Sequence, residues 1–147
     1  MKMPRHEALL REVVGTQYFA VLNTLGQDLP HSNLVSFAAT DDLKSLVFVT
    51  GRNTRKYRNM QDNHNISLLI DNRSNKPSDT SRAVAITAVG TAREEIDNKS
   101  LFQAILLARH PQLRHFVEAP DNAIMLVTVR EYIVAAFDRT ESVPVSQ

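Results

Sequence analysis

The chain has 147 residues, 17 Lys and Arg against 16 Asp and Glu, 43% hydrophobic and 22% charged residues, and neither Cys nor Trp. Without cysteine there is no thiol nucleophile, no thiolate-bound zinc, no cysteine-ligated iron–sulfur cluster and no redox disulfide. A formal net charge of +1 gives no bulk attraction to nucleic acid or an anionic membrane surface, so any anion site must arise from local clustering.

Length and composition fit one globular domain over residues 1–147, large enough to bury about 68% of its unfolded surface without a disulfide or structural metal. No apolar run approaches the roughly 18 residues that a membrane helix needs. Arg5, His6, Glu7, Arg11 and Glu12 break up the N-terminal stretch in which a secretory signal would place its apolar segment. The expected compartment is the cytoplasm, and neither a membrane nor nucleic acid is an expected partner.

Residues 4–14 carry Leu9, Leu10 and Val13 at helical spacing and end near Gly15, which predicts a short amphipathic helix. Tyr18 to Leu25 reads as a strand, stopped by the turn chemistry of Gly26-Gln27-Asp28. Asn33 to Thr40 and Ser45 to Thr50 form a second hairpin around Asp41 to Lys44. Thr54 to Asn63 predicts a helix with Tyr57 and Met60 on its apolar face and Arg55, Arg58, Asn59 and Asp62 opposite. Ile66 to Ile70 is a strand, and the polar run Asn72 to Ser81 is a hairpin tip, or alternatively a lid.

Arg82 to Ile96 is a long strand, apolar on both sides through Val84, Ile86 and Ala88 and through Ala85, Thr87 and Val89. That pattern suits burial on both faces or a dimer contact. Asn98 to Arg109 is a helix stopped by Pro111, and Ala123 to Asp138 the last strand. The order predicts a mainly β, α+β fold: a six-stranded antiparallel split β-barrel with flanking helices.

Chemistry concentrates where the third strand turns into the second helix, Val49-Thr50-Gly51-Arg52-Asn53-Thr54-Arg55-Lys56-Tyr57-Arg58. Thr54 is a suitable N-cap, which puts Arg55 and Lys56 in a first turn whose amides lack intrahelical partners and whose dipole is positive. Cations are misplaced there by about 0.3–1 kcal/mol each relative to anions. Residues 43–61 hold Lys44, Arg52, Arg55, Lys56 and Arg58 and no acid, while the rest of the chain has 12 bases against 16 acids. Free amides, a hydroxyl and two or three cations at one helix start describe a phosphate site. The bland alternatives are a solvated basic helix end and pairing with an acid from elsewhere in the fold. Nucleic-acid binding ranks lower, because Tyr57 shares its face with Met60.

Val47 to Asn59, followed by Asp62-Asn63-His64-Asn65-Ile66-Ser67-Leu68-Leu69-Ile70 and preceded by Pro30-His31-Ser32-Asn33-Leu34-Val35-Ser36-Phe37, resembles the FMN-binding split-barrel proteins related to pyridoxamine 5'-phosphate oxidase. The similarity runs from about Tyr18 to about Ile96. It implies that Thr54, Arg55 and Lys56 hold the FMN phosphate, that Thr50 and Gly51 lie beside the cofactor, and that Val35, Ser36 and Phe37 flank the flavin ring, largely through backbone groups. It also implies a homodimer with flavin at the interface. This chain has Leu34 and Ala39 where the oxidase has an Arg and a Lys, Arg82-Ala83 where it has Arg-Gln, and no Trp. Flavin binding is compatible with these departures more readily than oxidation of a vitamin B6 phosphate.

His31, His64, His110 and His115 make no metal signature, and Ser32, Ser36 and Ser67 lack a nucleophile-elbow context. No catalytic residue and no metal ligand is assigned. The expected function is that of a flavin-dependent oxidoreductase acting on a small-molecule substrate or electron donor. The alternatives are a non-catalytic flavin-binding or stress-associated module, and a split barrel that holds deazaflavin or haem.

Overall fold

The computed structural model describes residues 4–147. Helix α1 (Pro4–Thr16) lays Leu10, Val13 and Val14 on the sheet. Strands β1 (Phe19–Gly26) and β2 (Leu29–Ala39) follow, then β3 (Ser45–Gly51), α2 (Arg55–Asp62), β4 (Asn65–Asp71), α3 (Asp79–Arg82), β5 (Ala85–Glu94) and α4 (Lys99–Arg109). A 3-10 turn (Pro111–Leu113), α5 (Arg114–Glu118), β6 (Asn122–Ala136) and β7 (Arg139–Pro144) complete the chain.

The sheet runs β3-β2-β1-β4-β5-β6-β7, and a further β3–β6 pairing closes the first six strands into an antiparallel barrel with β7 outside the ring. Closure depends on the length of β6, 15 residues. Its first half pairs with β3 from Asn122↔Gly51 to Thr128↔Ser45, and its second half pairs with β7. A bulge in β6, where Arg130 is the extra residue between the partners of Val89 and Gly90, bends that strand around the barrel. A side chain at Gly90 would put Cβ 2.1 Å from the Thr128 carbonyl oxygen, so the backbones can approach only at glycine.

Alternation fills the barrel with Leu22, Phe37, Leu46, Phe48, Leu68, Ile70, Ile86, Met125 and Tyr132. The Tyr132 hydroxyl closes one end by donating to the Leu43 carbonyl at 2.7 Å. Strand β3 is buried on both faces. Leu46 and Phe48 face inward, while Val47 and Val49 pack with Leu106 of α4, Val117 of α5 and Ile124. Burying each such side chain is worth about 1.5–3 kcal/mol, which makes β3 a rigid base for the turn that follows it.

Among the described residues no helix is long and apolar enough to cross a membrane. The six barrel strands stand where the hydrophobic pattern put them, with four differences, the first being that the strand expected over Arg82 to Ile96 runs only Ala85–Glu94, because Arg82 ends helix α3. Strand β2 begins at Leu29 rather than Asn33, because Gln27 and Asp28, both at positive φ (53° and 64°), form a two-residue turn that pairs Gly26 with Leu29. The last strand ends at Ala136 rather than Asp138, and the chain returns as β7, an edge strand that buries only Val143. Helices α3 and α5 are additional to the expected elements. Strand β5 buries Ile86, Ala88 and Ala92 inward, while its outer face, Ala85, Thr87, Val89 and Thr91, is half-buried.

The candidate anion site at the start of the second helix

Strand β3 leads through Gly51 into a short turn, and Thr54 caps α2 from an extended conformation (φ −101°, ψ 158°). Its Oγ1 accepts from the Tyr57 amide at 3.3 Å and donates to the Gly51 carbonyl at 2.7 Å. A hydroxyl has one proton, so in the 3.3 Å contact with Thr50 Oγ1 the buried Thr50 is the donor. Thr54 therefore shapes the site and has no proton left to give a ligand. Among the described residues the amides of Arg55 and Lys56 have no backbone acceptor, as expected for the first residues of a helix.

Two anchors hold α2 against the barrel. On one side Asn59, buried, donates from Nδ2 to Thr24 Oγ1 at 3.0 Å. It packs so closely on Gly26 that a Cβ there would lie 2.2 Å from Asn59 Oδ1. The expected polar face of the helix thus includes one residue that faces inward, since the amide finds a hydroxyl partner on β1. On the other side the Tyr57 hydroxyl donates to Glu94 Oε1 at 2.6 Å. Glu94 also takes Arg52, whose Nε lies 3.2 and 3.3 Å from its two oxygens and whose Nη1 donates to the Pro120 carbonyl at 2.7 Å. The Arg52 guanidinium holds the Glu94 carboxyl below the usual carboxylate range, and the carboxylate in turn pushes the Tyr57 phenol up.

This network divides the basic cluster. Arg52 is neutralised by an acid from the end of β5, which is the pairing alternative realised at one residue. Arg55 and Arg58 are exposed and Lys56 is half-buried. None of the three makes an ion pair among the described residues, and Arg58 reaches only the Asn53 carbonyl at 3.4 Å. The cations at the helix start therefore remain uncompensated.

The second group of expected site residues lies on β2. Its ladder with β3 has three pairs, Phe37↔Phe48, Ala38↔Val47 and Ala39↔Leu46. Before Phe37, strand β2 pairs only with β1, and after Phe48, strand β3 pairs only with β6. The two strands thus part into a wedge with Val35 and Ser36 on one wall and Val49, Thr50 and Gly51 on the other. Val35 and Phe37 point their side chains into the core, so only their backbone can face a ligand, while Ser36 is half-buried beside Phe19. The fold brings Thr50, Gly51, Thr54, Arg55 and Lys56 into one continuous turn. It relates Val35, Ser36 and Phe37 to that turn across the wedge rather than by direct contact.

Three residues at this end escape a linear reading. Glu94 and Asn59 act through partners 42 and 35 positions away. His110, buried, sets Nε2 2.7 Å from the Phe37 carbonyl oxygen and so ties the end of α4 to β2. The next residue toward the helix, Arg109, lies over the Tyr18 ring at 4.5 Å. Among the described residues no group of three or more His, Asp or Glu is placed to hold a metal ion.

The model of the pyridoxamine 5'-phosphate oxidase family matches residues 7–134. No curated protein matches by sequence. Among solved structures, a haem-binding protein from Mycobacterium smegmatis superposes with a TM-score of 0.85 at 16% identity over 98% of this chain and 60% of that one. General stress protein 26 of Bacillus anthracis superposes with a TM-score of 0.76 at 20% identity over 96% and 99%. A haem storage protein from Vibrio cholerae gives 0.67 at 12% identity over 84% and 89%. At these identities the likeness is one of fold.

Proposed function

The chain belongs to the pyridoxamine 5'-phosphate oxidase family, and from that membership we propose that it is an FMN-binding protein, one domain over residues 1–147, acting as a flavin-dependent oxidoreductase in the cytoplasm. The observation that carries this reading is the start of α2. Its first turn carries the amides of Arg55 and Lys56 and their two cations, none of them paired among the described residues, behind a cap held by Thr54 and Thr50. That donor set suits a phosphate monoester, whose oxygens accept from amides and cations together. In this reading Arg55, Lys56 and their amides hold the phosphate, Thr50 and Gly51 border the cofactor, and the backbone of Val35, Ser36 and Phe37 lines the ring across the wedge. FMN, when bound, supplies a two-electron redox centre that a chain without cysteine lacks.

The small-molecule substrate or electron donor is not a vitamin B6 phosphate in this reading. The position at which the oxidase carries an Arg holds Leu34, 69% exposed and apolar, so the second phosphate finds no cation there. Leu34 continues outward across the sheet through Val21, Leu69, Thr87 and Ile133, which are cross-strand neighbours in one row. We assign that row, with the exposed Phe19, to the interface of a homodimer.

The experiment is an absorbance spectrum of the purified protein followed by titration with FMN. A bound flavin spectrum and a rise in melting temperature with FMN support the reading. A colourless protein with no thermal shift overturns it.

A second reading, haem in place of flavin, has one observation in its favour. His64 Nδ1 lies 3.1 Å from the Ala92 carbonyl oxygen, which can only accept, so Nδ1 is the donor and Nε2 is the nitrogen left for a ligand. It borders a groove of about 500 Å³ with Met60, Met125 and Tyr57. This is the tautomer an iron ligand requires. A Soret band on titration with haem, lost in His64→Ala, would select this reading over flavin.

A further inference from the structure

We infer that Glu94 is a positioning residue for the anion site: from the end of β5 it holds Arg52 and Tyr57, fixes the turn that presents the first amides of α2, and keeps Arg52 away from the ligand. This rests on the flavin reading above and adds a residue that the family resemblance does not assign.

The contacts bracket the cap. Arg52 lies two residues before Thr54 and Tyr57 three after it, and one carboxylate receives both side chains. Arg52 has little left to offer a ligand: Nε and Nη2 go to Glu94, Nη1 goes to the Pro120 carbonyl, and its amide donates to the Asp121 carbonyl at 3.3 Å. The Glu94 side chain is 15% exposed, less than the 37% of Arg52, so the acid is the more enclosed partner. It sits on the final residue of a strand whose ladder with β6 runs to Glu94↔Met125. The turn is thereby tied to the barrel wall rather than left as a free loop.

Electrostatics alone makes the opposite prediction, which gives the inference a sign to be tested. A carboxylate near an anion site repels the anion, so deleting it should tighten binding if charge were its whole contribution. If Glu94 positions the turn, deleting it weakens binding, and weakens it specifically through the phosphate.

The experiment compares FMN with riboflavin, which lacks the phosphate, on the wild type, Glu94→Ala and Glu94→Gln. Amide hydrogen exchange over residues 51–57 is recorded without ligand. The expected result for Glu94→Ala is a loss of FMN affinity of about tenfold, the size of one charge-assisted hydrogen bond, with riboflavin changed by less than about twofold. Exchange in the turn speeds up. Glu94→Gln, whose one amide oxygen can still accept from Arg52 while its amide nitrogen donates to the Tyr57 oxygen, recovers part of both. FMN binding that is unchanged or tighter in Glu94→Ala overturns the inference, and so does an equal loss for both flavins. If Glu94→Ala does not fold, Tyr57→Phe removes one of the two contacts and is expected to show a smaller loss of the same FMN-specific kind. A wild type that binds neither flavin refutes the cofactor reading, and the exchange data then decide alone: faster exchange supports positioning by Glu94, unchanged exchange refutes it.

Discussion

Two polar turns lead into helices in this molecule, and they treat their free amides in opposite ways. In the loop before α3 the chain supplies its own anion. Asp79 accepts from the amides of Ser74, Asn75 and Lys76 at 3.0, 2.7 and 3.2 Å and from the Ser74 hydroxyl at 3.0 Å. In the turn before α2 the amides of Arg55 and Lys56 have no acceptor among the described residues, and the carboxylate of Glu94 is spent on Arg52 and Tyr57. Equivalent chemistry is closed in one place and left open in the other. A loop that satisfies itself is structure; a rigidly held turn with unfilled donors and cations is set up to receive an anion from outside.

The contrast breaks most sharply at the cations. Arg55→Ala with Lys56→Ala should lower FMN affinity by about 100-fold or more, since two charge-assisted bonds at about 1.5–3 kcal/mol each are lost. Calorimetric titration measures this. The melting temperature should hold or rise, because two cations leave the positive end of a helix dipole. A fall in stability would mean that the pair is structural.

The cap comes next. Thr54→Ala removes the acceptor for the Tyr57 amide, the donor to Gly51 and the partner of Thr50, and should cost about 1–2 kcal/mol in a denaturant melt. Thr54→Ser should restore most of it.

A smaller effect follows from the acid that braces the open turn. Glu94 titrates below its ordinary value of 4.5, chiefly because Arg52 donates to it. A lowered native value means stabilisation that is fully present above about pH 4.5 and lost as pH falls through the lowered value. Glu94→Gln should therefore be less stable than the wild type at neutral pH by about 1 kcal/mol, discounted for the exposure of Arg52, and the gap should close in acid. Melting temperatures at neutral and strongly acidic pH test this, and a gap that widens in acid contradicts it.

The smallest effect is expected at the closed loop. Asp79→Asn should speed amide exchange at residues 74–76 and leave flavin affinity unchanged. Loss of flavin binding there would erase the distinction between the two turns.

The barrel could be read from the sequence because its strands alternate and its turns carry their own signals. The N-cap was equally legible, since Thr54 stands immediately before the helical pattern and its hydroxyl acts within three residues. Strand β7 was not legible: Arg139-Thr140-Glu141-Ser142 has almost nothing to bury, and only a paired edge on β6 makes it a strand. Asn59 looked like a solvent-facing residue, and its burial depends on Thr24 and Gly26 of another strand. Arg52 looked like part of the binding cluster because its acid lies 42 positions away. Local chemistry announced the donors of the site. The partners that rigidify it, and that subtract one cation from it, arise only when β5 folds beside α2.

The most direct test of this account is the ratio of FMN to riboflavin affinity in the wild type and in Arg55→Ala with Lys56→Ala. The account predicts a wild type that prefers FMN and a double variant that has lost this preference while keeping its riboflavin affinity. A preference for FMN that survives in the double variant, or a wild type that binds the two flavins equally, would contradict it.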